Sequence, residues 1–150
     1  ALVCTASGTR DFARDGENAL VTWRHPFFLR RASRRVLADA ASRAERPLLA
    51  AAGYRETRSV GMVVLADEAG RAARLADEVG EGLERLGVYE RERRKWLAHV
   101  TVLRFRRAPR AQPPVPDLGA VSPSEVALYH SVLRPTGAQY EILQSVPLGG

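Results

Sequence analysis

Hydrophobic and polar positions alternate along this chain with two different periods, and the switch between them marks its elements. "TRSVGMVVLAD" (57–67) and "LAHVTVLRF" (97–105) are dense in β-branched residues and predict strands, the first buried at its centre. Ala72, Leu75, Ala76, Val79, Leu83 and Leu86 recur at helical spacing, and Gly87 is placed to end that helix. A second helix fits Ala32 to Arg46, with Val36, Leu37, Ala40, Ala41 and Ala44 on one side. Short strands are expected in "ALVCTA" (1–6) and "NALVTWR" (18–24), the latter ended by Pro26, which cannot donate to a ladder. "SEVALYHSVL" (124–133) and "AQYEILQSVPL" (138–148) predict two last strands joined by the tight turn "RPTG". Between them and the strand at 97–105, "RRAPRAQPPVPDLG" (106–119) reads as an extended surface loop. The pattern is that of an α+β domain of two similar lobes rather than a doubly wound sheet.

Length and composition narrow the class. A chain of 150 residues, 45% hydrophobic, has the size of one globular domain, 1–150, with room for a real core. No apolar run approaches the roughly 20 residues of a membrane span. The opening "ALVCTASGTRDF" lacks the basic start and long apolar centre of a signal peptide. Cys4 is the only cysteine, and His25, His99 and His130 have no helical metal-ligand spacing. Neither a metal nor another cofactor is expected, and a reducing cytoplasm is the expected location. The net charge is +6, and every basic residue except Lys95 is arginine. Coding bias in a GC-rich genome explains that as well as phosphate binding does, though a basic domain suits a nucleic-acid partner.

The chemistry-bearing stretch is "WLAHVTV" (96–102). His99 and Thr101 stand two residues apart in a strand, so both project from one face. A core histidine satisfied by a neighbouring carbonyl would look the same. What changes the picture is a second strand of the same design. Ala19-Leu20-Val21-Thr22-Trp23 is the same as or similar to Ala98-His99-Val100-Thr101-Val102 at four of five positions, the exception being Leu20 opposite His99.

On these residues the chain resembles the LigT-like 2H phosphoesterases, the RNA 2′,3′-cyclic phosphodiesterases also called 2′–5′ RNA ligases. "LADEVGEGLERLGVYERERRKWLAHVTVLRFR" looks like the family's helix, loop and second motif with its following arginine, here Arg104. "VALYHSVLRPTGAQYEILQSVPL" is similar to its closing strand pair, and "GENALVTWR" to its first-motif segment. The resemblance covers about residues 57–148, with the N-terminal part shortened or divergent. It implies a two-lobed fold in which antiparallel sheets line a central cleft with helices outside.

It also implies a site. His99 would be the general base of a metal-free hydrolysis that opens a 2′,3′-cyclic phosphate to a 2′-phosphate. Thr101 and Thr22 would bind the phosphate oxygens. Leu20 stands where the family has its first-motif histidine, the general acid, so turnover is expected to be impaired. His25 would point away from Thr22 in a regular strand, and His130 shares a face with Val126, Leu128 and Val132. By strand parity Arg104 lies off the His99 face, whereas Arg24 is on the Thr22 face. Tyr129 and Tyr140 could stack on a base or be half-buried strand aromatics. The expected partners are RNA ends carrying a cyclic phosphate, or cyclic nucleotides, with no membrane, for a monomeric protein. The alternative is a degenerate domain that binds RNA ends or nucleotide phosphates without turnover.

Overall fold

The computed structural model describes residues 3–5, 20–22, 26–87, 90, 95–115, 117, 119–134 and 137–149, and of 3–5, 20–22, 26–32, 130–134 and 137–138 the backbone alone. The elements are β1 (Val3–Thr5), β2 (Leu20–Thr22), α1 (Pro26–Arg43), β3 (Leu49–Glu56), β4 (Val60–Ala66), α2 (Arg71–Arg85), β5 (His99–Arg104), β6 (Ala120–Val121), β7 (Glu125–Arg134) and β8 (Gly137–Pro147). They form two four-stranded sheets, ordered β2-β1-β7-β8 and β5-β4-β3-β6. The α+β class and the two-sheet plan are as expected. The second sheet is antiparallel throughout, whereas in the first β1 runs parallel to both β2 and β7.

The core lies where α1 and α2 pack on one face of the first sheet. Leu37, Ala40 and Ala41 of α1 meet Leu75, Val79 and Leu83 of α2 over Val126, Leu128 and Leu143. All are buried, as their helical or alternating spacing requires. The two helices approach closely because residue 82 is glycine: a β-carbon there would run into Val36 Cγ1. Gly87, at φ 64°, donates its N–H to Glu84 O at 2.8 Å and closes α2 as its position predicts. A smaller cluster of Leu49, Ala72 and Ala98, with Leu65 against it, ties the start of α2 to the second sheet.

Three local expectations change. Pro26 opens α1, since its fixed φ and missing N–H suit a first helical position. The helix also stops at Arg43 rather than Arg46, because Pro47 drives the residue before it out of helical geometry. Strand β3 is the third: alanine is a poor strand former, yet Leu49–Glu56 is held between β4 and β6. The final hairpin pairs Arg134 with Gly137, the ends of "RPTG".

Candidate active site on the edge strand of the second sheet

Strand β5 is the outer strand of its sheet and pairs antiparallel with β4. His99 and Thr101 lie opposite Val64 and Met62 and are half-buried. Between and beyond them, Val100 and Val102 are 50% and 48% exposed. Alternation therefore separates a sheltered side carrying the two polar residues from an exposed side carrying apolar ones. Ala98, one residue earlier, belongs to the α2 side with Leu65. His99 and Thr101 consequently project from the sheet face turned away from α2, where Val60 and Met62 are buried.

His99 Nδ1 lies 2.9 Å from the carbonyl oxygen of Leu97. A carbonyl oxygen only accepts, so Nδ1 carries the proton and donates it. A neutral ring then has its lone pair on Nε2. The carbonyl partner that would satisfy a passive core histidine thus also selects the tautomer a proton acceptor needs.

One expectation about the surroundings is corrected. The β4–β5 register shifts between Gly61 and Met62: Thr101 pairs with Met62 but Leu103 pairs with Gly61, leaving Val102 as an extra residue. This bulge reverses the parity of the residues beyond it. Arg104 pairs with Val60, which alternates with Met62 and Val64. Arg104 is therefore on the His99–Thr101 face, not off it. A second arginine joins the same face from β3: Arg55 pairs with Met62, directly across that strand from Thr101. Two strand spacings separate the backbones of Arg55 and Thr101, roughly 10 Å. Sequence reasoning missed Arg55 because it missed β3.

The other expected residues are distributed as follows. Leu20 and Thr22 are on β2, the outer strand of the first sheet, opposite Val3 and Thr5 of β1. The side chains of Leu20 and Thr22 lie outside the described residues, as do Arg24 and His25. His130 occupies a β7 position opposite Glu141, its side chain likewise outside them. Tyr129 and Tyr140 meet edge to face, ring centroids 6.5 Å apart at 88°. They pack on each other as strand aromatics, with Tyr140 half-exposed.

No protein-family model matches the chain, and no characterised protein matches it by sequence. Solved structures do. The crystal structure of TT0787 of Thermus thermophilus superimposes with a TM-score of 0.66 at 25% identity, over 83% of this chain and 73% of that one. The crystal structure of a phosphoesterase superimposes with a TM-score of 0.60 at 21% identity, over 79% and 70%. The chain shares the fold of these two structures. Among the described residues, no helix is long and apolar enough to cross a membrane.

Chemically, the β5 face combines a half-buried imidazole whose Nε2 has no partner among the described residues, a hydroxyl two residues on, and two guanidinium-bearing positions nearby. That set can accept a proton and hydrogen-bond an anion at once.

Proposed function

We propose that the protein is a phosphoesterase acting on RNA 2′,3′-cyclic phosphates, with His99 as its general base and Thr101 and Thr22 as phosphate-binding residues. The observation that carries this reading is the His99 Nδ1 to Leu97 O contact, which leaves Nε2 as the acceptor of a neutral ring on the strand face that Thr101 shares. The fold shared with a phosphoesterase supports it.

In this reaction a water molecule gives one proton to His99 Nε2 while its oxygen bonds to phosphorus in line with the departing 3′ oxygen. The P–O3′ bond breaks with its electron pair, and O3′ takes a proton to become the ribose hydroxyl. The 2′ ester is retained. The Thr101 hydroxyl, together with Arg55 and Arg104, offsets charge building on the non-bridging oxygens. At position 20 a leucine offers no proton to O3′, so solvent supplies it and turnover is slow. Loss of one member of an acid–base pair costs on the order of 100- to 10,000-fold.

Leu20 also favours a second reading, in which the domain holds RNA ends or nucleotide phosphates without turnover. Separating the products of a labelled oligonucleotide bearing a terminal cyclic phosphate decides between them. Accumulation of the 2′-phosphate supports the hydrolase. Tight binding with the cyclic ester left intact supports the binding domain, and a 3′-phosphate product would contradict the proposed cleavage.

A further inference from the structure

The proposed reaction leaves unexplained the far end of the second sheet, where β5 runs out into the loop beginning at Phe105. There the carboxylate of Glu56 is engaged by three neutral donors. Tyr54 Oη donates to Oε1 at 3.1 Å, Ala111 N to Oε1 at 3.0 Å, and Arg110 N to Oε2 at 3.0 Å. Two successive backbone N–H groups converge on one carboxylate because Arg110 is in the left-handed region, at φ 55°, the one non-glycine residue there among the described residues. Gly61, opposite Glu56 on β4, gives the Tyr54 phenol its room; a β-carbon there would strike the ring oxygen. Burial, followed by the hydrogen bond and charge of Glu56, raises the phenol above its usual titration range, so it remains a donor. A further bond, Phe105 N to Ser59 O at 3.0 Å, ties the loop to the β3–β4 turn.

The clamp fixes an arginine-rich surface. Arg58, Arg106, Arg107 and Arg110 are all exposed, and Glu56 is the only carboxylate in the segments 56–59 and 105–111. Every contact described for Glu56 is with a neutral donor, so it does not pair with the four guanidiniums. Elsewhere exposed arginines do find carboxylates, as Arg43 finds Glu78 and Arg71 finds Glu45. Arg107, Ala108, Pro109 and Arg110 line a depression of about 560 Å³.

We propose that this Glu56-clamped loop is a phosphate-binding strap for single-stranded RNA, gripping backbone phosphates away from the reacting end. The inference rests on the phosphoesterase reading. His99 and Arg104 pair with Val64 and Val60, four β4 steps apart and so roughly 14 Å. Glu56, which pairs with Gly61, anchors the loop on the opposite face of the sheet, so a ligand must also pass round the sheet's end. A mononucleotide cannot span that distance, and an oligonucleotide can. Planar guanidiniums on a rigid loop suit repeated phosphates without reading bases.

The test compares a dinucleotide and an octanucleotide, each ending in a 2′,3′-cyclic phosphate, on the wild-type chain, on Arg107→Ala/Arg110→Ala and on Glu56→Gln. Affinity is followed by fluorescence anisotropy across a salt series, and hydrolysis is measured alongside. The strap predicts that the octanucleotide binds more tightly than the dinucleotide. In the double variant that advantage falls on the order of tenfold, and the salt slope drops by about 1.4 because two phosphates go unneutralised. Glu56→Gln should lose part of the advantage with the arginines still present, a result a purely additive charge effect would not give. Dinucleotide hydrolysis should be unchanged in both variants. Equal binding of both lengths, or an octanucleotide advantage that survives the double substitution, overturns the strap while leaving the hydrolase standing. Polyglutamate displacing the octanucleotide as well as unlabelled RNA does would overturn the RNA assignment. Length-dependent binding without hydrolysis of either substrate keeps the strap and removes the catalytic reading.

Discussion

Strands β7 and β5 are built from similar residues and meet opposite fates. β7 lies between β1 and β8 with α1 and α2 over one face, and Val126 and Leu128 are at most 1% exposed. Among the described residues β5 has a neighbour on one side only, and its valines stand about half-exposed while His99 and Thr101 take the sheltered positions. A strand selected for the core alone would carry the opposite arrangement, because sheltering imidazole and hydroxyl groups costs desolvation while exposing valines forgoes burial. The inversion on β5 is the arrangement the proposed site requires, and β7 shows what this protein does with a strand buried under its helices.

Substitutions can break that comparison at either strand. The largest effect is expected at His99: His99→Ala should lower cyclic phosphodiester turnover by about 100- to 10,000-fold. Its urea midpoint should remain close to wild type, a separation that kinetics and unfolding on one preparation would reveal. Leu128→Ala should do the reverse. It opens a cavity beneath α1 and α2 and should cost about 2–5 kcal/mol in urea unfolding, with no specific loss of turnover in the fraction that stays folded. Gly82→Ala probes the same core from the helix side. Crowding Val36 should cost about 1–3 kcal/mol, read as a lowered thermal midpoint. The smallest effect is expected on the exposed side of β5, where Val100→Thr should change stability by no more than about 0.5 kcal/mol. A core-sized loss there would mean that β5 packs like β7 and that its apolar side is not free.

The same contrast explains how much of the molecule is legible in its sequence. Core elements announce themselves: the Ala72–Leu83 periodicity and the apolar positions of β4, β7 and β8 need only local spacing, and Gly87 marks its helix end. The His99–Thr101 pair is legible because strand alternation needs nothing beyond residue parity. Parity misplaces Arg104 for the same reason, since the bulge at Val102 is decided by pairing with β4 and leaves no local signal in "HVTVLR". β3 is invisible because its Leu-Ala-Ala-Ala-Gly start is stabilised by its neighbours rather than by its own propensity, and with it go Arg55 and the Tyr54–Glu56 clamp. Pro26 is a boundary signal that works from the other side: it ends the preceding segment by opening a helix.

The central claim is that β5 carries a working half of an acid–base site, whose partner position is Leu20. It is tested most directly by measuring hydrolysis of a short RNA ending in 2′,3′-cyclic phosphate with the wild-type chain, His99→Ala and Leu20→His. Slow turnover is expected in the wild type, with a rise on the order of 100-fold or more in Leu20→His and disappearance in His99→Ala. Turnover that is indifferent to His99, or a Leu20→His chain no faster than wild type, would contradict it.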